Sequence, residues 1–388
     1  MAPGCWSVAV GENASAVPGS RGGAVLCDVE PLFLSDVQRS QWTRTAGAPL
    51  PRTPTERPLT PMLEPMPPTQ AWQPDILGPH FEQLTLALEP DAEGPVVATL
   101  VRFSQHLRLD LHRGVAHGAN VLYVHGWSDY FFQTELAEYW HAAGARFYAI
   151  DLRKYGRSLR TGQTPGYITD LSDYDEDIAA ALAVIGTDRP LILMGHSTGG
   201  LTLSLWATRH IGVASAIVLN SPWLEFQGRE LGRAALTPVV ELQARYRPQR
   251  TLPPIDFGFY TRAISKRFDG EWEYDEAWRP EHGFPVHPGW LRAVLAGHAR
   301  IELGLGLQTP VLTLLSVKDT LLPRWSPLML TTDSVLDVDI VAQRALRLGD
   351  TVTVVRLEGA LHDVMLSAPP VRAKALEQIT RWIRGYLD

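Results

Sequence analysis

Cysteine is almost missing from this sequence: two residues in 388, Cys5 and Cys27, both near the N-terminus. Two thiols cannot build a disulfide framework for a chain of this length, nor complete a structural zinc site by themselves. A reducing, cytoplasmic setting is the expectation. Long apolar runs are missing too. No stretch of 18 apolar residues occurs, which speaks against a transmembrane helix. The first thirty residues hold apolar patches such as Val8-Ala9-Val10, but lack the basic start and continuous apolar core of a secretory signal. There is no basic excess: 35 Lys and Arg stand against 42 Asp and Glu, a net charge of −7. Nucleic acid is therefore not an expected partner. What is present is 45% hydrophobic residues, enough for one large core or two modest ones.

Proline divides the chain. Eleven of the 30 prolines fall within residues 1–70, and Pro49 to Pro68 alternates proline with threonine, arginine and acid. Proline removes a backbone donor and fixes φ, so this stretch is expected to be an extension outside the helices and the central sheet, mostly disordered or draped over the domain. From about residue 76 the pattern changes. Phe81 to Leu88 and Val96 to Phe103 read as strands around a Pro90–Gly94 turn, a candidate antiparallel hairpin. Strand-like runs at 120–124, 146–150, 191–194 and 216–219 then alternate with helical stretches at 132–143, 173–185 and 201–209. Such alternation implies parallel βαβ units with helices on both faces. Residues 222–305 break the rhythm and are expected to form an inserted, irregular cap. The rhythm resumes with strands at 311–315 and 352–357 and helices at 338–348 and 371–386. The predicted class is an α/β fold with a mostly parallel central sheet and a cap, over residues 76–388.

The strongest chemical signal is Gly195-His196-Ser197-Thr198-Gly199, a G-x-S-x-G pattern directly after an apolar strand and directly before a helix. A serine on a sharp strand-to-helix turn has its hydroxyl pushed out above the sheet. Small residues two before and two after let the chain segments approach, and the helix amides point at the same place. Ser197 is the candidate nucleophile. The backbone N–H of Thr198, with that of Trp127 in the His125-Gly126-Trp127 loop after the strand at 120–124, is the candidate oxyanion hole. His125 is expected to order that loop. Chain order in such sites runs Ser, acid, His, and His362 follows the last strand. No other histidine lies beyond residue 298.

The acid has three candidates. Between acid and histidine the chain must build a loop, a helix, a loop, a strand and a loop, which take about 29 residues at ordinary lengths. Asp333 precedes His362 by 29 positions, and Asp319 by 43. Asp319 lies closer to the strand end, and Asp337 stands at a helix start, where an acid caps backbone amides. Asp333 is favoured and Asp319 is the alternative.

Together these residues resemble the serine aminopeptidase S33 (hydrolase-4) family, which includes monoacylglycerol lipases and lysophospholipases. The blocks that carry the resemblance are His125 to Tyr130, Asp151-Leu152-Arg153-Lys154-Tyr155-Gly156-Arg157-Ser158, Gly195 to Gly200, and Gly359 to Asp363. Two departures stand out: Lys154-Tyr155 replaces a small or histidine pair, and Ser316 replaces the glycine that usually precedes the acid, while D-x-V recurs at Asp333-Ser334-Val335. The resemblance implies the α/β-hydrolase fold and ester hydrolysis of a small-molecule acyl substrate. The mechanism needs no metal and no organic cofactor. A peptidase of the same fold, or an inactive hydrolase scaffold used for binding, are the alternatives. Oligomeric state is not legible.

Deletion of residues 1–70 should leave hydrolytic activity intact. Loss of activity on truncation at about residue 72 would show that the segment packs on the domain or gates the site.

Overall fold

The computed structural model describes residues 71–104, 114–226, 229–253 and 256–387. The proline-rich stretch over 1–70, and both cysteines, lie outside the described residues. The strands are β1 (Gln73–Pro74), β2 (Phe81–Asp91), β3 (Gly94–Phe103), β4 (Asn120–Val124), β5 (Arg146–Asp151), β6 (Leu191–His196), β7 (Ala216–Asn220), β8 (Val311–Ser316) and β9 (Val352–Leu357). The helices are α1 (Thr134–Ala142), α2 (Tyr174–Ile185), α3 (Thr198–Arg209), α4 (Arg229–Tyr246), α5 (Phe259–Ile264), α6 (Pro288–Glu302), α7 (Val338–Ala345) and α8 (Pro369–Tyr386).

The strands form one sheet in the order β1-β2-β3-β5-β4-β6-β7-β8-β9. The β1–β2, β2–β3 and β3–β5 pairs are antiparallel, and the pairs from β5–β4 onward are parallel. Every residue of β4, β6, β7 and β8 is buried. This is why those strands read as continuous apolar runs instead of alternating ones. Helices α1 and α8 cover one face through Leu136, Trp140, Ile379 and Trp382. Helices α2, α3, α6 and α7 cover the other through Ile178, Leu201, Val294 and Val341. In the hairpin the strands run further than their alternation suggested: β2 continues through Pro90 and Asp91 with a register shift, leaving a tighter turn closed by Gly94 at φ +108°.

Residues 222–305 are more regular than the sequence suggested. The last part is α6, the crossover helix between β7 and β8. It buries Trp290, Leu291, Val294 and Ile301 in the core. Gly297 lets it close on α3, since a Cβ there would lie 3.1 Å from Leu205 and 3.0 Å from Leu171. The C-terminal end of the expected 222–305 cap is therefore a core helix, its apolar residues spaced three and four apart. The part near the site includes α5 and the segment to about residue 287. It packs Ala263, Ile264 and Trp272 on Tyr130, Phe132 and Leu366.

The block after β5 has a structural explanation. The Asp151 carboxylate accepts from the N–H groups of Phe131 and Arg157, both at 3.0 Å, and pairs with the Arg157 guanidinium at 2.8 Å. Arg157 also pairs with Asp75 at 2.6 Å, and the Ser158 hydroxyl donates to the Asp151 carbonyl. Residue 156 must be glycine, because a Cβ would lie 2.5 Å from the Asp151 carboxylate and φ is +43°. Lys154, the unusual residue of this block, is buried because Asp91 and Glu93 of the hairpin turn pair with it at 2.5 and 2.7 Å.

Arg157→Met would leave two buried carboxylates without their shared cation. Breaking such a pair costs about 3–5 kcal/mol, a large part of an ordinary domain's stability. The urea midpoint should fall accordingly, and an unchanged midpoint would show that the cluster does not hold the β5 loop in place.

Candidate active site

Ser197 is forced into a conformation that serine rarely adopts, φ +50° and ψ −117°. The cause is the close approach of three segments. A Cβ on Gly195 would lie 2.8 Å from the Gly199 carbonyl oxygen, and a Cβ on Gly199 would lie 2.3 Å from the His125 carbonyl oxygen. Glycines at both places allow β6 to turn straight into α3, with Ser197 at the apex. The turn is held by the Ser197 N–H donating to the Asn220 carbonyl at 3.1 Å and the Trp223 N–H donating to the Ser197 carbonyl at 3.0 Å.

The Ser197 Oγ lies 3.1 Å from His362 Nε2, and His362 Nδ1 lies 3.0 Å from Asp333 Oδ2. All three residues are buried. A carboxylate beside Nδ1 places the ring proton there, which leaves Nε2 to accept from the serine hydroxyl. The other carboxylate oxygen, Asp333 Oδ1, accepts from the N–H groups of Val335 and Leu336 at 2.7 and 2.9 Å, which fixes its orientation.

Asp319 is not brought to the histidine. Its carboxylate accepts from the Val338 N–H at 3.1 Å, at the start of α7. Asp337 caps the same helix through the Ile340 N–H. The chain leaves the end of β8 at Asp319, loops out through 320–332, and returns. The Thr320 N–H donates to the Asp333 carbonyl at 2.7 Å, and the Asp333 N–H to the Lys318 carbonyl at 3.0 Å. Asp319 and Asp333 thus lie side by side on paired backbone. The excursion precedes Asp333, so Asp333 has both the right distance in sequence and a place beside the strand end.

Trp127 and Thr198 both line the cavity at Ser197. Gly126 sits against the elbow: a Cβ there would lie 3.1 Å from Ser197 Cβ, so the Trp127 amide follows directly on the closest approach. Among the described residues neither the Trp127 nor the Thr198 N–H has a backbone acceptor. His125 orders this loop. The Leu152 N–H donates to its Nε2 at 3.1 Å, so the proton is on Nδ1 and goes to the Gly126 carbonyl at 2.7 Å. Burial pushes its pKa down, which keeps the ring neutral.

Among the supporting groups, Asn220, Gln133 and His196 carry no local signal in the sequence. Asp363 accepts from Asn220 Nδ2 at 2.5 Å and from Gln133 Nε2 at 2.9 Å, tying the histidine loop to the end of β7 and the start of α1. His196 packs its ring 4.9 Å from that of His362, and its Nδ1 donates to the Asn220 carbonyl at 3.0 Å. Burial pushes its pKa down as well. The cavity has a volume of about 480 Å³. Trp223, Phe226, Phe257, Phe259 and Tyr260 line it. Trp290 instead supports the wall from behind, 5.3 Å from Trp127 and 6.1 Å from Trp223. Among the described residues no cluster of three or more His, Cys, Asp or Glu side chains is placed to hold a metal ion. No described helix is long and apolar enough to cross a membrane.

Residues 116–366 match the model of the hydrolase-4 family, serine aminopeptidase S33. The chain belongs to this family. Among its relatives is a monoacylglycerol lipase of Mycolicibacterium smegmatis, 28% identical over 280 residues that cover 69% of this chain and 88% of the relative. A carboxyl esterase from Bacillus coagulans superposes with a TM-score of 0.53 at 16% identity, covering 79% of this chain and 99% of the esterase. A soluble variant of monoglyceride lipase from Saccharomyces cerevisiae gives 0.52 at 15% identity, covering 77% and 94%. These likenesses show the α/β-hydrolase fold.

Asp333→Asn should lower kcat for ester hydrolysis by about 10⁴-fold, because an amide favours the wrong imidazole tautomer. Asp319→Asn should change kcat little, since an amide oxygen can still cap α7. Steady-state kinetics of the two variants side by side checks the assignment, and the reverse order of effects would overturn it.

Proposed function

We propose that this protein hydrolyses a carboxylic ester with a single acyl chain, monoacylglycerol- or lysophospholipid-like, through an acyl-enzyme on Ser197. The observation that carries the proposal is the Ser197–His362 contact of 3.1 Å at a cavity walled by Trp223, Phe226, Phe257 and Phe259. The monoacylglycerol lipase relative supports the same substrate class.

In the proposed reaction the Ser197 hydroxyl attacks the ester carbonyl while His362 Nε2 takes its proton. The developing oxyanion meets the N–H groups of Trp127 and Thr198, at the positive end of α3. Asp333 keeps the Nδ1–H tautomer and stabilises the imidazolium. The same proton then goes to the leaving alcohol, and His362 activates a water to release the acid. The apolar walls suit an alkyl chain, whose burial stabilises binding by about 0.8 kcal/mol per methylene. A peptidase of the same fold would need a charged subsite for the substrate amine. Of the two carboxylates in the cavity wall, Asp129 is engaged by Arg279 and Asp256 accepts from the Gly258 N–H.

Ser197→Ala should abolish turnover, by a factor on the order of 10⁶, without changing the fold. A fluorophosphonate probe should label the wild-type chain at Ser197 only. Esters of graded acyl length should be cleaved faster than charged peptides, and the opposite preference would favour the peptidase.

A further inference from the structure

Two charged side chains in the cavity wall have no part in the reaction just described. Arg279 comes from the segment after α5, and Asp129 from the loop after β4, 150 positions away. Both are buried, at 6% and 4% exposure. The Arg279 Nε donates to Asp129 Oδ1 at 3.2 Å. Asp129 lies two residues beyond Trp127, and Ser128 between them is held at φ +53°, a left-handed conformation that persists only where the surroundings enforce it.

The guanidinium also reaches the other side of the site. It lies over the rings of Tyr260 and Tyr274, at 5.1 and 5.0 Å from their centroids. The Tyr260 hydroxyl accepts from the Asp363 N–H at 3.1 Å, and its ring meets the His362 ring edge to face at 5.3 Å. Contacts therefore run without a break from the loop that carries Trp127, through Asp129, Arg279 and Tyr260, to the loop that carries His362.

We propose, on the basis of the ester-hydrolase function above, that Arg279 is a positioning residue for this reaction. Through Asp129 it holds the Trp127 amide at the oxyanion position, and through Tyr260 it holds the histidine loop. Arginine suits the task because one planar group offers an edge for the carboxylate and a face for the aromatic rings at once. Net stability is a poor explanation of such a pair, since the desolvation of two buried charges offsets most of their attraction. A role in binding an anionic substrate is disfavoured because the Arg279 charge is already matched by Asp129, and Asp256 adds a second carboxylate to the same cavity.

The test uses the full chain with a soluble short-chain ester, reading kcat and KM separately, with the thermal midpoint as a check on folding. Arg279→Met should lower kcat by about 10–100-fold with KM nearly unchanged, the scale expected when reacting groups are misplaced by about 1 Å. Arg279→Lys should recover part of the loss, because it restores the charge for Asp129 but not the stacked plane. The double variant Arg279→Met/Asp129→Asn leaves no unpaired buried charge, and should fold and stay slow. A rise in KM with normal kcat would make Arg279 a substrate-binding residue and overturn the inference. Wild-type kcat in either folded Met variant would overturn it too. Absence of ester turnover in the wild-type chain would instead fail the function proposed above.

Discussion

At residues 195–200 the chain passes so close to its neighbours that side chains have no room. Gly195 meets Gly199 across the turn, and Gly199 meets the backbone of His125. This close approach fixes more than Ser197. It brings the start of α3 and the loop after β4 to the same point, so Ser197, Thr198 and Trp127 line one cavity. Larger residues at either place would push α3 off the sheet and separate those groups. The unfavourable φ of Ser197 is held by ordinary packing and by hydrogen bonds to Asn220 and Trp223. Strain at such a site persists when the surroundings over-determine it.

The rest of the site is assembled on this apex by Asp333, Asp363 and His125, buried groups each held by two hydrogen bonds or more. Asp333 is oriented by two backbone amides, Asp363 by Asn220 and Gln133, and His125 by an amide and a carbonyl. Each loop that carries a reacting group is therefore tied to a strand end or a helix start. A buried polar network of this kind resists small displacements, because any shift leaves a donor or acceptor unmatched in a low-dielectric interior. Burial also pushes the pKa values of His125 and His196 down, so the ring beside His362 carries no positive charge.

Much of this is legible in the sequence. Continuous apolar runs at 120–124 and 191–194 mark strands buried on both faces, and glycine spacing around Ser197 marks a turn that nothing larger can make. Chain order then leads to His362. Spacing favoured Asp333 over Asp319, and the geometry explains the apparent conflict: the excursion 320–332 closes on itself, returning Asp333 to the side of Asp319. The cap was misjudged at one end, because α6 carries an apolar stripe that belongs to the core.

The sequence by itself determined the strand–turn–helix at Ser197, the alternation of strands and helices, and the order serine, acid, histidine. These depend on local sterics and on apolar periodicity, which are written in neighbouring residues. Tertiary structure alone decided that Asp129 meets Arg279, that Asp363 meets Gln133, and that Tyr260 leans on His362. Those partners lie 150, 230 and 102 positions apart. A carboxylate or a guanidinium carries no local sign of its partner, because the energy of the pair depends on burial and approach that exist only once the chain has folded.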